Sequence, residues 1–287
     1  MGRVVRAAAA WLTAHVRRVA AAWDQFWFTP ADPIVLGVMR ILAGGMLLYT
    51  HIVWGTNLPA FFSERGWMSP LLMDVFQRGE LIFSFWWYVP EAWHVTAHGV
   101  CLCVITLFWL GLWTRVTSIL SLIISISYSY RAQFANYGLD QVNTILTLYL
   151  AIGPSGAALS IDRLIQRYRT ARRVLSAGAV PSFERTPRVS AGLAMRLTQI
   201  HFCVIYFYSA TAKLQGAAWW SGDAMWRAFA NQEYQSTDMT WLVWYPWIGN
   251  WMTHTTILWE LSFGICLAVK GFKPVPLITL GPDPQAR

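Results

Sequence analysis

Six stretches of this chain, residues 33–54, 93–113, 115–131, 142–160, 194–214 and 251–270, are long and apolar enough to cross a lipid bilayer as helices. Inside the hydrocarbon every backbone N–H and C=O must be paired within the protein, so a chain of this kind is confined to helices or a closed barrel. Runs of this length select helices, because a membrane β-strand needs only about 10 residues. The expected fold is therefore an all-α integral membrane protein of about six transmembrane helices. Composition agrees: of 287 residues, 56% are hydrophobic, 15% aromatic and only 13% charged, with a mean hydropathy of +0.40. The charged share is about half the roughly 25% of a soluble domain, which excludes a disordered chain, a coiled coil and an ordinary soluble enzyme.

The formal net charge is +8. No helix-turn-helix, zinc-finger or RNP-like pattern accompanies it, so no nucleic-acid partner is expected. The basic residues instead read as topology, since they collect in cytoplasmic loops. The segment between spans four and five holds Arg163, Arg167, Arg169, Arg172, Arg173, Arg185, Arg188 and Arg196. With that segment in the cytoplasm, Arg115 at the turn between spans two and three, Lys270 and Lys273 also fall inside. So do the N-terminal Arg3, Arg6, Arg17 and Arg18. Both termini are then cytoplasmic. Loops 55–92, 132–141 and 215–250 face outward with most of the acids: Glu64, Asp74, Glu80, Glu91, Asp140, Asp223, Glu233 and Asp238.

Residues 1–28 form an expected interfacial segment. At about 100° per residue, Val4, Val5, Leu12, Val16, Val19, Trp23 and Phe26 share one face and the four arginines with Asp24 the other. Residues 29–270 hold the transmembrane bundle. Residues 271–287 form a proline-rich tail (Pro274, Pro276, Pro282, Pro284), expected to be a flexible end. The outer loops carry aromatic clusters at Trp86, Trp87, Tyr88 and Trp93, at Trp219, Trp220 and Trp226, and at Trp241, Trp244, Tyr245, Trp247 and Trp251. These suit either a headgroup-level aromatic belt or a roof of half-buried helices over an outward cavity. The cysteines Cys101, Cys103, Cys203 and Cys266 lie within apolar runs and read as small buried hydrophobes. His94, His98 and His254 are too scattered for a metal site, and none is expected.

Ionisable groups inside spans are costly and point to function. Arg40 lies in the inner third of span one with Gly37, Ala43 and Gly44 on its face, leaving room for a neighbouring helix. Glu260 lies near the middle of span six, on a stripe with Thr253, Thr256 and Gly264. The two differ in depth by about 5 Å, so an Arg40–Glu260 ion pair is expected, the alternative being a backbone carbonyl, hydroxyl or water for each. Lys213 closes span five at its outer end and could snorkel to the headgroups. Against that stands a polar stripe, Gln199, Tyr206, Ser209 and Lys213, at spacings of one helix face. That stripe is expected to face the bundle or a cavity, where lost solvation disfavours the ammonium and leaves a neutral amine usable as a base. Asp140, Thr144 and Thr147 are candidates for the lining of the same cavity.

The run from Ile205 to Leu214 (IYFYSATAKL), followed by Trp219-Trp220-Ser221-Gly222, resembles the vitamin K-dependent γ-carboxylase superfamily. The nearer likeness is to its bacterial branch, the horizontally transferred transmembrane (HTTM) domain proteins. Asp32-Pro33 leading to Arg40 fits the pattern. So do Gly111-Leu112-Trp113-Thr114-Arg115, Pro154 through Ser160-Ile161-Asp162-Arg163, and Trp259-Glu260-Leu261. The resemblance implies a bacterial inner-membrane bundle with Lys213 at the position of the carboxylase's base. It implies reduced vitamin K or another quinone as cofactor, and carboxylation-type chemistry at the outer face. Two departures accompany it. Gln133 to Gly138, where the carboxylase carries a histidine, has none, and the carboxylase's large lumenal domain has no counterpart. The family continues with further spans beyond the Glu260 region, so this chain is expected to be C-terminally shortened. Membrane lipids and a quinone are the expected partners. A quinol-dependent enzyme and a non-enzymatic lipid- or quinone-binding bundle both remain open. A small transporter is disfavoured, since no inverted repeat of broken helices is visible.

Overall fold

The computed structural model describes residues 2–79, 82–181, 186–231 and 237–271, with side chains from residue 11 to residue 265 among them. Glu80, Arg185, Glu233, Lys273 and the tail at 272–287 lie outside the described residues, as do the side chains of Arg3, Val4, Val5, Arg6, Cys266 and Lys270. Every regular element among the described residues is helical. A single isolated antiparallel bridge joins Ala31 to Arg188. The long helices are α1 (Gly2–Phe28), α2 (Ile34–Thr56), α3 (His94–Leu110), α4 (Thr114–Arg131), α5 (Gly138–Ile152), α6 (Ile161–Ser176), α7 (Val189–Lys213) and α8 (Pro246–Gly271). The chain forms two compact units, Met1–Arg196 and Leu197–Arg287, with the boundary inside α7.

In the first unit, α2 packs on α3 and α5, and α4 packs on α3 and α5, closing a ring of four helices. The inside of the ring mixes apolar side chains such as Leu36, Leu47, Ile105, Phe108 and Leu150 with many polar ones, while its outside is apolar. On α2, Arg40 and His51 are buried while Val35, Val38, Leu42 and Met46 are exposed. On α4, Thr114, Thr117, Ser118, Ser121 and Ser125 are buried while Val116, Ile119, Leu120 and Ile123 are exposed. A helix of a water-soluble domain has the opposite distribution, since burying unpaired polar groups costs free energy and exposing apolar ones to water does too.

Among the described residues, two helical stretches, Ile34–Thr56 and Glu91–Leu110, combine the length and apolarity needed to cross a membrane, fewer than the six expected. Helix α4 is lowered in hydropathy by its hydroxyl side chains. Helix α5 stops at Ile152, short of the expected end at 160, because Gly153 turns to an extended conformation and Pro154 has no N–H to continue the ladder. The arginine-rich segment expected as a loop is largely the helix α6. The segment 55–92, expected as an outer loop, carries the short helices Leu58–Phe62, Pro70–Gln77 and Phe85–Tyr88. Its side chains Leu58, Phe62, Met68, Met73 and Trp86 are buried with Leu47, Ile105 and Tyr128 of the ring. Trp86 is thus core, whereas Tyr88 and Trp93 are exposed; the loop aromatics do not form one uniform belt. Of the cysteines, Cys101 is buried, but Cys103 is exposed, a departure from the expected burial.

The turn between α3 and α4 is set by Gly111, whose φ of +73° ends α3 in the left-handed conformation. A side chain there would also meet the Arg40 guanidinium and Ser160, so only glycine fits. Asp162, at the start of α6, clamps this turn: its carboxylate accepts from Trp113 N (2.9 Å), Thr114 N (2.8 Å) and the Thr114 hydroxyl (2.7 Å). Partial burial pushes its pKa up. The Thr114 and Trp113 hydrogen bonds and the Arg40 charge outweigh that and hold it below the ordinary carboxylate value.

In the second unit, Leu197 to Lys213 of α7 is followed by two short helices, Ala217–Trp220 and Ala224–Phe229, a 3-10 turn at Thr240–Trp244, and α8. Thr253 ties the second of these short helices, and the turn before it, to α8. Its hydroxyl donates to Gly222 O at 2.9 Å and accepts from Met225 N at 3.2 Å.

Candidate functional site

Lys213 occupies the last helical position of α7 and reaches across to α8. Its Nζ donates to both oxygens of Glu260, at 2.6 and 2.7 Å, and to the Ser209 hydroxyl one turn back, at 2.6 Å. The side chains of Lys213 and Glu260 keep only 21% and 11% of their exposure. The ammonium also sits 5.3 Å from the centre of the Trp219 ring, within cation–π range. One turn further along, Tyr206 of α7 packs on Phe263 of α8, with ring centroids 4.3 Å apart. The order of these contacts, Lys213 to Glu260 and Tyr206 to Phe263, makes the two helices antiparallel at the site.

The stripe on α7 thus faces α8. Lys213, Ser209 and Tyr206 meet there as one group with Glu260. Gln199 is half-buried two turns further from the pair, on the same helix. The surroundings differ from the expected ones in one respect. A carboxylate, that of Glu260, faces the amine at contact distance.

Arg40 and Glu260 each find another partner, which corrects the expected ion pair. Arg40 is fully buried in the first unit; one guanidinium nitrogen donates to Ser155 O at 2.9 Å and another to Leu159 O. Carbonyls left free where the chain leaves a helix are good acceptors for a buried cation. Leu159 presents its carbonyl from a left-handed conformation, φ +51°, that a leucine adopts only under constraint. The small residues of the Arg40 face do what the spacing implied: Gly37 touches the backbone at Ala158, and Gly44 the backbone of α3 at Trp109.

Asp140 has a local role in the first unit. It sits in the first turn of α5 and accepts from Tyr137 N at 3.0 Å, capping the helix. Thr144 bonds Ser125 of α4 at 2.6 Å and borders a cleft of about 410 Å³ with Tyr130, Gln133 and Asn136. Thr147 is buried and donates to Asn143 O at 2.7 Å.

Two buried groups of the first unit were not singled out by the sequence. Arg131, at the end of α4, donates to Met68 O (2.6 Å) and Phe62 O (2.7 Å) and lies 5.1 Å from the Trp87 ring centre. It ties the outer loop to the ring of helices. His98 bonds the Tyr128 hydroxyl at 2.5 Å, and the His51 ring packs edge-on to the same tyrosine with centroids 4.5 Å apart. Of the other histidines, His94 bonds Val89 O at 3.1 Å and His254 bonds Asn250 O at 2.9 Å. Compared with models of protein families, with curated proteins and with solved structures, the chain matches none.

Proposed function

We propose that this chain is an integral membrane bundle of the HTTM type, with six spans and both ends in the cytoplasm of a bacterium. We assign the Lys213–Glu260–Ser209 group as its binding and proton-accepting site for a quinol-type lipid. The apolar outer face of the ring of α2 to α5 supports membrane residence, because lipid in contact with it removes the cost of exposing those side chains. The single observation that carries the site is the ammonium gripped by both oxygens of one carboxylate and by a hydroxyl, on two facing helices.

The residues present fit the head group of a hydroquinone. Trp219, Tyr206 and Phe263 are aromatic surfaces beside the polar pair, and the Glu260 carboxylate offers its remaining lone pairs as acceptors to a ring hydroxyl. Such a cofactor supplies an aromatic O–H of modest acidity. Glu260 would accept the hydrogen bond of that hydroxyl at a carboxylate oxygen and take up its proton there. Lys213 would keep a positive charge beside the site, and Ser209 would hold the Nζ in line. The base role that the family resemblance gives Lys213 alone becomes a property of the pair.

A second reading is a non-enzymatic bundle that binds lipid or quinone, in which the pair locks two helices. The two-point contact between Nζ and the carboxylate favours it, since that is also the geometry of a structural lock. Purification in mild detergent, with extraction and quantitation of bound isoprenoid quinones, tests the site. Wild type should retain quinone and Lys213→Ala should lose it; equal amounts in both would remove the proposal.

A further inference from the structure

We infer that α6 is a docking helix for the anionic phospholipid surface of the cytoplasmic leaflet. The inference rests on the membrane reading above but not on the quinol site. Helix α6 carries Arg163, Arg167, Arg169, Arg172 and Arg173 against one acid, Asp162. That acid is held against the α3–α4 turn by the Trp113 and Thr114 N–H groups, so its one charge stands on the side away from the apolar stripe against five arginines on the helix. No residue of α6 is buried.

At about 100° per residue, Leu164, Tyr168 and Leu175 fall within roughly 40° of one another. They are 64%, 69% and 63% exposed. The opposite side, with Asp162, Gln166, Arg169 and Arg173, borders the α3–α4 turn at Leu112 and Trp113 across a cleft of about 420 Å³. The apolar stripe therefore points away from that turn, with Arg172 at its margin. An apolar ridge flanked by Arg163, Arg167 and Arg172 is complementary to one surface in particular, acyl chains beneath anionic headgroups. A protein groove would need acids matched to each arginine. A zwitterionic bilayer offers the apolar layer but no net charge.

The full-length protein reconstituted in nanodiscs tests this by backbone hydrogen exchange. In discs containing phosphatidylglycerol, exchange across residues 164–176 should slow about tenfold or more relative to phosphatidylcholine discs, and high salt should restore it. The triple substitution Arg167→Gln, Arg172→Gln and Arg173→Gln should abolish the lipid dependence while leaving α2 protected. Slow exchange across residues 34–56 in both discs reports on membrane residence separately, so its loss would count against the membrane reading alone. Equal exchange of residues 164–176 in the two lipids, with α2 protected, would overturn the inference. Protection that appears in detergent and grows with protein concentration would also overturn it, by identifying a second copy of the chain as the occupant.

Discussion

Lys213 and Glu260, 47 residues apart, close a charge pair in which one Nζ contacts both carboxylate oxygens at 2.6 and 2.7 Å. Neither charge has another charged partner in this contact, and both are mostly shielded. In such surroundings an ion pair is held less by its own attraction than by the cost of leaving either member alone.

A double-mutant cycle therefore has a defined outcome. Lys213→Met and Glu260→Met should each lower stability by about 2–4 kcal/mol, and the double variant should lose less than the sum. Thermal unfolding in detergent measures it; simple additivity would mean the contact is not made.

For Arg40, replacement by Met removes a buried cation bonded to two carbonyls, and the loss should be about 3 kcal/mol. Arg40→Lys should recover only part of it, since a single ammonium cannot reproduce the guanidinium's fork. Glu260→Gln should leave the Arg40 effect unchanged. A coupling between these two positions would restore the ion pair that the structure replaces.

The reach of the sequence differs between these two residues. Arg40 stood out because a charge within an apolar run must find a partner, and its small neighbours marked the face that packs. Its actual partners are backbone carbonyls at Ser155 and Leu159, which no side-chain pattern announces. Glu260 was legible for the same reason as Arg40. Matching depths, however, favoured the wrong cation, because depth along separate helices carries no information about which faces meet. The stripe Tyr206, Ser209 and Lys213 was read from its spacing alone, and it does face α8. Arg131 closes a span, a position where a cation can reach the headgroups, and nothing in its spacing marks the Phe62 and Met68 carbonyls as its partners. In α6 the Leu164, Tyr168 and Leu175 spacing carries the helical period, but the arginines dominate its composition.

Asp162 gives a pH signature. Its folded-state pKa is held below that of the unfolded chain, so the stability it contributes is present above the ordinary carboxylate range. That contribution fades as pH falls through the folded value. Wild type should therefore destabilise on acidification below about pH 4, the ordinary carboxylate value. Asp162→Asn should be weaker at neutral pH and show less of this acid-dependent loss. Melting temperatures across an acid pH series check both.

Tyr128→Phe removes the partner of a buried histidine nitrogen while keeping the ring that packs on Phe62 and Trp86. The expected cost is about 1–3 kcal/mol, the desolvation penalty of a polar group left unpaired. His98→Phe in the same background should then cost little more, and a large additional loss would show that His98 has another role.

The most direct measurement is equilibrium titration of the purified protein with a short-chain hydroquinone, followed by quenching of tryptophan fluorescence. The account predicts saturable binding that Glu260→Gln and Lys213→Met each weaken by about 10- to 100-fold, as loss of a charge-assisted hydrogen bond requires. Arg40→Met, which lies outside the site, should leave the affinity unchanged. Binding of equal strength in wild type, Glu260→Gln and Lys213→Met would contradict the assignment of this pair as the quinol site.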